Sequence, residues 1–397
     1  MRRSTVWVMA ATCGLVVANN YYNQPLLVDF AHTFQVSERQ AGVVAALTQF
    51  GYALGMLVFL PLGDMLERRR LISVMLLAAT AALVSTALSP MMGWLMASGF
   101  AVGFTSIVPQ LLTPFAAQLA EPQERGSVVG IVMGGLLAGI LLSRTISGLV
   151  GAHLGWRTMY WIAAGIMIVL VLVLAKLLPK NKPSFNGSYG DLMASLLHLI
   201  RTQPVLRETS LVAALQFAAF SAFWTTLAFQ VYSLPGHYGS DVAGMFGIVG
   251  VVGASAAPYA GKFSDRKSPR LAVMLSSIAF VIAYVVFGML GSAIWGLALG
   301  VILLDLGMQS GHVSNMTRNF SLKSEAMSRI NTVYMVTRFL GGALGSVAGN
   351  YAWSLWRWTG VCAVGLLLSL LAIVVQLYFG RRYATNAGSM QAKAAGK

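Results

Sequence analysis

Apolar runs of about twenty residues recur along this chain, and that length crosses a bilayer as one helix. Nothing else in the sequence restricts the fold so tightly. In hydrocarbon each backbone polar group must find a partner, and a helix satisfies them within its own segment. We place twelve spans, at roughly 5–30, 39–61, 70–90, 93–117, 127–152, 158–178, 207–232, 241–261, 270–289, 292–317, 329–352 and 358–380. Only 10% of the residues are charged, against about a quarter in soluble globular domains. The expected fold class is therefore an all-α integral membrane protein.

The net charge of +15 could signal nucleic acid, but no recognition motif accompanies it. Its distribution points to a membrane instead. Of the 27 Lys and Arg, all but five fall in the segments that share one side with both termini. Arg39, Arg157 and Arg357 fall on the other side, and Arg144 and Arg338 lie within spans. That bias predicts cytoplasmic termini in a bacterial-type inner (plasma) membrane. Cys13 and Cys362 both sit in apolar runs without ligand-like neighbours, so no metal is expected. The chain starts straight into a full span, so no cleavable leader is expected either.

One connection differs from the others. Residues 179–204, "PKNKPSFNGSYGDLMASLLHLIRTQP", are long, polar and rich in turn formers. Leu192, Leu196, Leu199 and Ile200 share one helical face there, which predicts a surface amphipathic helix. The expected domains are 1–179 and 206–380, each a six-helix bundle, a linker at 180–205, and a disordered cytoplasmic tail at 381–397.

The two bundles repeat each other. "LPLGDMLERRR" around Asp64 follows the second span, and "GKFSDRKSPR" around Asp265 follows the eighth. Trp156–Arg157 and Trp356–Arg357 recur 200 residues apart. Parallel repeats of six helices imply an axis along the membrane normal and a central cavity between the halves. A loop of this kind suits a gate, because its Asp can accept hydrogen bonds from Arg or from a helix N-terminus of the opposing bundle.

With these loops the chain resembles the major facilitator superfamily over nearly its whole length. That family's loop signature is G-x-x-x-D-R-x-G-R-[RK]. The second copy keeps Gly261, Asp265, Arg266 and Arg270; the first keeps Asp64, Arg68 and Arg69. The resemblance implies twelve transmembrane helices in two pseudo-symmetric six-helix bundles. It also implies that these seven residues close the cytoplasmic side in the outward-open state. "NNYYNQPLLVDFAHTF" looks like the first span of the drug:proton antiporter and metabolite-efflux branch. The chain departs from that branch at Asn20, where a carboxylate is frequent, at Ser98, where an Arg is usual, and at Ser143–Arg144, where a Gly-Pro pair is usual.

Charges within spans carry the functional reading, since each costs at least about 2.5–3.5 kcal/mol to insert. Arg144 lies in the fifth span, Asp305 near the middle of the tenth and Arg338 in the eleventh. Asp305 reads as the one deep acidic residue. Gln309 and His312 follow at i+4 and i+7, which places all three on one helical face as a proton route. The alternative is an ion pair of Asp305 with Arg144 or Arg338. Asn20, Tyr22 and Gln110 are further candidates for the cavity wall.

Together these features predict a secondary active transporter that moves a small organic molecule by alternating access. Proton-coupled efflux of a drug or of an anionic or zwitterionic metabolite is expected from the resemblance. The alternatives are proton-coupled uptake, or a transport-inactive sensor or scaffold. No cofactor beyond the proton gradient is expected, and no enzymatic activity, since the loops hold no nucleophile–base set. The expected partners are substrate, protons and lipid, not nucleic acid, and the expected state is a monomer.

Overall fold

The computed structural model describes residues 3–121, 123–181, 187–255, 268–322 and 327–395, with side chains as far as residue 382. All regular structure among them is helical. The first half contains α1 (Arg3–Ala18), α2 (Leu27–Phe34), α3 (Glu38–Met65), α4 (Arg68–Ala87), α5 (Met92–Thr105), α6 (Val108–Leu119), α7 (Arg125–Leu154) and α8 (Trp156–Leu177). A linker helix, α9 (Tyr189–Thr202), precedes α10 (Pro204–Ser233), α11 (Ser240–Ser255), α12 (Pro269–Leu290), α13 (Ile294–Phe320) and α14 (Met327–Ala395). Among the described residues nine helical segments are long and apolar enough to cross a membrane, with α5 and α6 counted as one. α1 and α11 are shorter apolar helices. The 56 residues of Met327–Arg382 would span ~84 Å as one helix, far more than one crossing needs. Non-helical angles at Trp356 and Arg357 break α14 into two limbs, and with α1 and α11 the helices among the described residues make twelve crossings.

Three departures from the expected spans have local causes. The first span is interrupted over residues 19–26 by turns with short-range bonds such as Tyr21 N–H to the Ala18 carbonyl. Pro25 lacks an N–H and disfavours helix in the residue before it. The fourth span breaks between α5 and α6, just before Pro109. The last helix continues to Ala395, into the segment expected to be a disordered tail; no proline interrupts residues 381–397.

In the linker, Ser188 and Asp191 form a reciprocal capping box at the start of α9. Those bonds hold the exposed Asp191 carboxyl below its usual range. Leu192, Leu196 and Leu199 are buried as expected, but Ile200 is exposed.

The two halves meet along two seams, α3 against the first limb of α14 and α7 against α11. Exchanging the halves maps one seam onto the other. The α3–α14 seam runs the full depth of the bundle. Gly42 lies against Asn350, Gln49 bonds Ser346 and Ser221, and Tyr52 meets Phe339 edge-on at 4.6 Å. The α7–α11 seam is a backbone contact. A Cβ on Gly244 would stand 2.6 Å from the Arg144 carbonyl oxygen, and Thr145 donates to the Gly244 carbonyl at 2.9 Å. Gly244→Val therefore forces the seam apart and is expected to cost about 1–3 kcal/mol. A wild-type melting temperature for that variant would contradict the close approach.

An ion pair joins the halves at the face opposite the termini. Glu38 Oε2 accepts from Arg357 Nη1 at 2.6 Å and from Trp353 Nε1 at 2.8 Å. Arg357 has φ 51° and ψ −140°, a conformation that suits glycine and strains arginine by about 1–3 kcal/mol. The repeat-related turn uses Gly155, at φ 82°. The pair is solvent-exposed, so its own contribution is about 1 kcal/mol or less. Glu38→Gln is expected to widen the distance distribution between spin labels at Gln35 and Ser354. An unchanged distribution would show that the pair does not hold this face closed.

Candidate substrate site

Arg144 lies where α7 faces both α11 and the interrupted first span. It is 1% exposed. Its Nε donates to Gln24 Oε1 at 2.6 Å, and its Nη1 reaches the Ile140 carbonyl at 3.4 Å. The guanidinium stacks on Trp224 of α10, 3.8 Å from the ring centroid, with Tyr21 at 4.8 Å and Phe220 at 5.7 Å. Cation–π contacts in a dry site contribute about 2 kcal/mol or more. The turn at 19–26 makes this possible, because it carries Tyr21 and Gln24 inward where a straight helix would continue. Nη2 is buried without a hydrogen-bond partner among the described residues.

Asp305 is also 1% exposed. It rests on α11, where a Cβ built on Gly250 would stand 3.1 Å from its Oδ2. Neither carboxylate oxygen has a hydrogen-bond partner among the described residues. Arg144 and Asp305 both pack on α11, against Gly247 and Gly250, yet they form no ion pair among the described residues. The expected alternative, an Asp305 pair with Arg144 or Arg338, is therefore not what the structure holds.

Arg338 has a different partner. Its Nη1 lies 2.9 Å from His312 Nδ1, which also faces the Tyr334 hydroxyl at 3.0 Å. A guanidinium can only donate, so Nδ1 accepts and the ring proton sits on Nε2. A proton on Nδ1 would set two donors against each other. This separates His312 from Asp305: one addresses α14, the other α11. The single face of Asp305, Gln309 and His312 is buried throughout, but its two ends serve different neighbours. Further along α13, Asn319 accepts from Thr209 at 2.7 Å.

The remaining wall candidates are dispersed. Asn20 bonds the Val17 carbonyl, and Gln110 reaches the Tyr52 hydroxyl at 3.4 Å. From the first span Arg144 contacts Tyr21 and Gln24, not Asn20 or Tyr22, although Tyr22 is buried too. Sequence reasoning missed Tyr21, Gln24 and Trp224 as one shell around Arg144. The signal available was the polar cluster ahead of Pro25, but not which of its members turns inward.

The described side-chain contacts of Arg68 and Arg69 lie within their own half. Arg68 is buried and binds the Gly63 carbonyl, Gln118 and Asp64, while Arg69 donates to the Leu178 carbonyl. Asp64 Oδ2 crosses to Ser328, near the start of α14, at 3.4 Å. Gly261, Asp265 and Arg266 lie outside the described residues. Arg270 donates to the Gln376 carbonyl and approaches Glu208. Glu208 lies near the start of α10, at the boundary of the seventh span rather than deep within it. It is fully buried, 2.5 Å from Arg318 Nη2.

Comparison places this arrangement among known proteins. Residues 9–346 match the family model described as Major Facilitator Superfamily. The Uncharacterized transporter YgaY of Escherichia coli O157:H7 is 37% identical over 93% of each chain. "Probable transporter SCO4007" of Streptomyces coelicolor is 33% identical over 90% of this chain and 83% of its own. A bacterial homolog to the human lysosomal transporter Spinster, inward-facing and occupied, superposes with a TM-score of 0.75 at 13% identity, covering 96% of this chain and 97% of that one. The human organic anion transporter MFSD10 gives 0.67 at 18% identity, covering 95% and 100%. At such identities the likeness concerns the fold.

Proposed function

This chain belongs to the major facilitator superfamily, and from that premise we propose that it exports a small organic anion or zwitterion in exchange for protons. It is a multi-pass membrane transporter and not an enzyme. One observation carries the finer reading. Arg144 and Asp305, from opposite halves and both buried, rest on the same helix, α11, and keep polar atoms without partners among the described residues. Buried charges are ordinarily satisfied by one another or by a bound group.

In this reading substrate binds between the halves, with its anionic group on Arg144. A proton on Asp305 replaces the substrate's hold on that side and favours the opposite opening. Arg338 and His312 support the wall. Asp64, Arg68 and Arg69 hold the proximal loop, and Gly261, Asp265, Arg266 and Arg270 take the related role in the second half. Residues 1–179 and 206–380 rock as two bodies across the linker. The termini face the cytoplasm of a bacterial cell, the transporter works as a monomer in lipid, and the proton gradient replaces any cofactor.

Flux in proteoliposomes tests this. Wild-type export is expected to follow an imposed proton gradient and to reverse with it. Asp305→Asn is expected to retain substrate exchange but lose the response to the gradient by about tenfold or more. A gradient response that survives this substitution sinks the assigned role of Asp305. Uptake driven by the same gradient direction as the proton would favour a symporter, and binding without flux would favour a sensor.

A further inference from the structure

We infer that the ligand class of the central site is a zwitterion of amino-acid type, its carboxylate on Arg144 and its ammonium on Asp305; this rests on the reading of the central site above. The geometry points to both charges at once. Among the described residues Arg144 Nη2 has no partner, and Trp224, whose ring lies 3.8 Å from the guanidinium, has a buried Nε1 without one as well. Two unpaired donors suit a carboxylate, which has two oxygens to accept with. Asp305 offers two oxygens and no donor.

Both residues rest on one helix, α11. A Cβ on Gly247 would meet Arg144 Cβ at 3.2 Å, and one on Gly250 would meet Asp305 Oδ2 at 3.1 Å. Those positions are three residues apart, about 4.5 Å along the helix. The root of the Arg144 side chain and the Asp305 carboxylate therefore pack on neighbouring positions of α11, and the two groups form no ion pair among the described residues, which leaves each free to take one end of a bridging ligand. A ligand with only a negative group leaves Asp305 unmatched. One with only a positive group leaves Arg144 Nη2 and Trp224 Nε1 unmatched. Beside Arg144 and Trp224, Gln24, Pro25, Leu227, Ala228 and Ala243 close tightly around the guanidinium.

Thermal stabilisation of the purified protein tests the class, because a ligand of the folded state raises stability by mass action. The probes are L-leucine, N-acetyl-L-leucine with only the carboxylate, and L-leucinamide with only the ammonium. Leucine is expected to bind at least about tenfold tighter than either analogue, each having lost a charge-assisted contact. Asp305→Asn is expected to abolish the preference for leucine over N-acetyl-L-leucine, and Arg144→Gln the preference over leucinamide. Should Arg144→Gln fail to fold, the nearly isosteric Asp305→Asn decides alone. Equal or tighter binding of N-acetyl-L-leucine overturns the zwitterion and leaves an anion site at Arg144. Leucine binding unchanged in both variants overturns the central site itself. No shift with any of the three overturns the zwitterion class, while the gradient experiment on Asp305→Asn still judges the transporter reading separately.

Discussion

Arg144→Ala is expected to lower substrate flux by at least about 100-fold in proteoliposomes. The side chain does several things at once. A charge-assisted hydrogen bond contributes about 1.5–3 kcal/mol, and each 1.4 kcal/mol is tenfold in affinity. The substitution removes the donor at Nη2 and with it the platform that pairs with Trp224, 3.8 Å away. It also orphans the Gln24 Oε1 that now accepts from Nε and leaves Asp305 without a nearby cation. Arg144→Lys keeps the charge but not the planar fork or the stack, so rescue is expected to be weak. Export at the wild-type rate by Arg144→Ala would assign this arginine a purely structural part, and Asp305 would become the leading substrate contact.

The largest stability effect is expected at Glu208. It is buried between Arg318, at 2.5 Å, and Arg270, at 3.6 Å. Breaking a buried pair from one side costs about 3–5 kcal/mol, because the other charge stays buried without its counter-ion. Here Arg318 is that partner, with a side chain only 10% exposed. Glu208→Ala should therefore lower the melting temperature of the detergent-purified protein by several degrees, with less effect from Glu208→Gln, which keeps an acceptor. A melting curve identical to wild type would mean that Arg318 finds a substitute acceptor or reaches water.

Glu208 also shows how far a sequence reaches. It opens the seventh span, so its position along the chain resembles that of any residue at a membrane boundary. Only the convergence of α12 and α13 brings two arginines over it. Arg144 and Asp305 announced themselves differently, as ionisable groups deep inside apolar runs, where their cost alone implies a function. Tyr21 and Trp224 carried no such mark. Aromatic residues in a span are ordinary, and one becomes a cation platform only when a turn or a neighbouring helix aims it.

The division has a physical basis. Hydropathy is a property of contiguous residues, so the crossings, their number and the positive bias of one side were legible from the chain alone. The repeat of Asp64 and Asp265, and of the two Trp-Arg pairs, was legible for the same reason. Partner choice is a property of residues far apart in sequence. The tertiary structure decided that Arg338 binds His312 rather than Asp305, and that the arginines of the first loop serve their own half. It also decided that Arg144 and Asp305 pack against glycines of one helix, α11. Helical periodicity placed Asp305 and His312 on one face, but which helix each end meets depends on where the neighbours pack, and local pattern does not encode that.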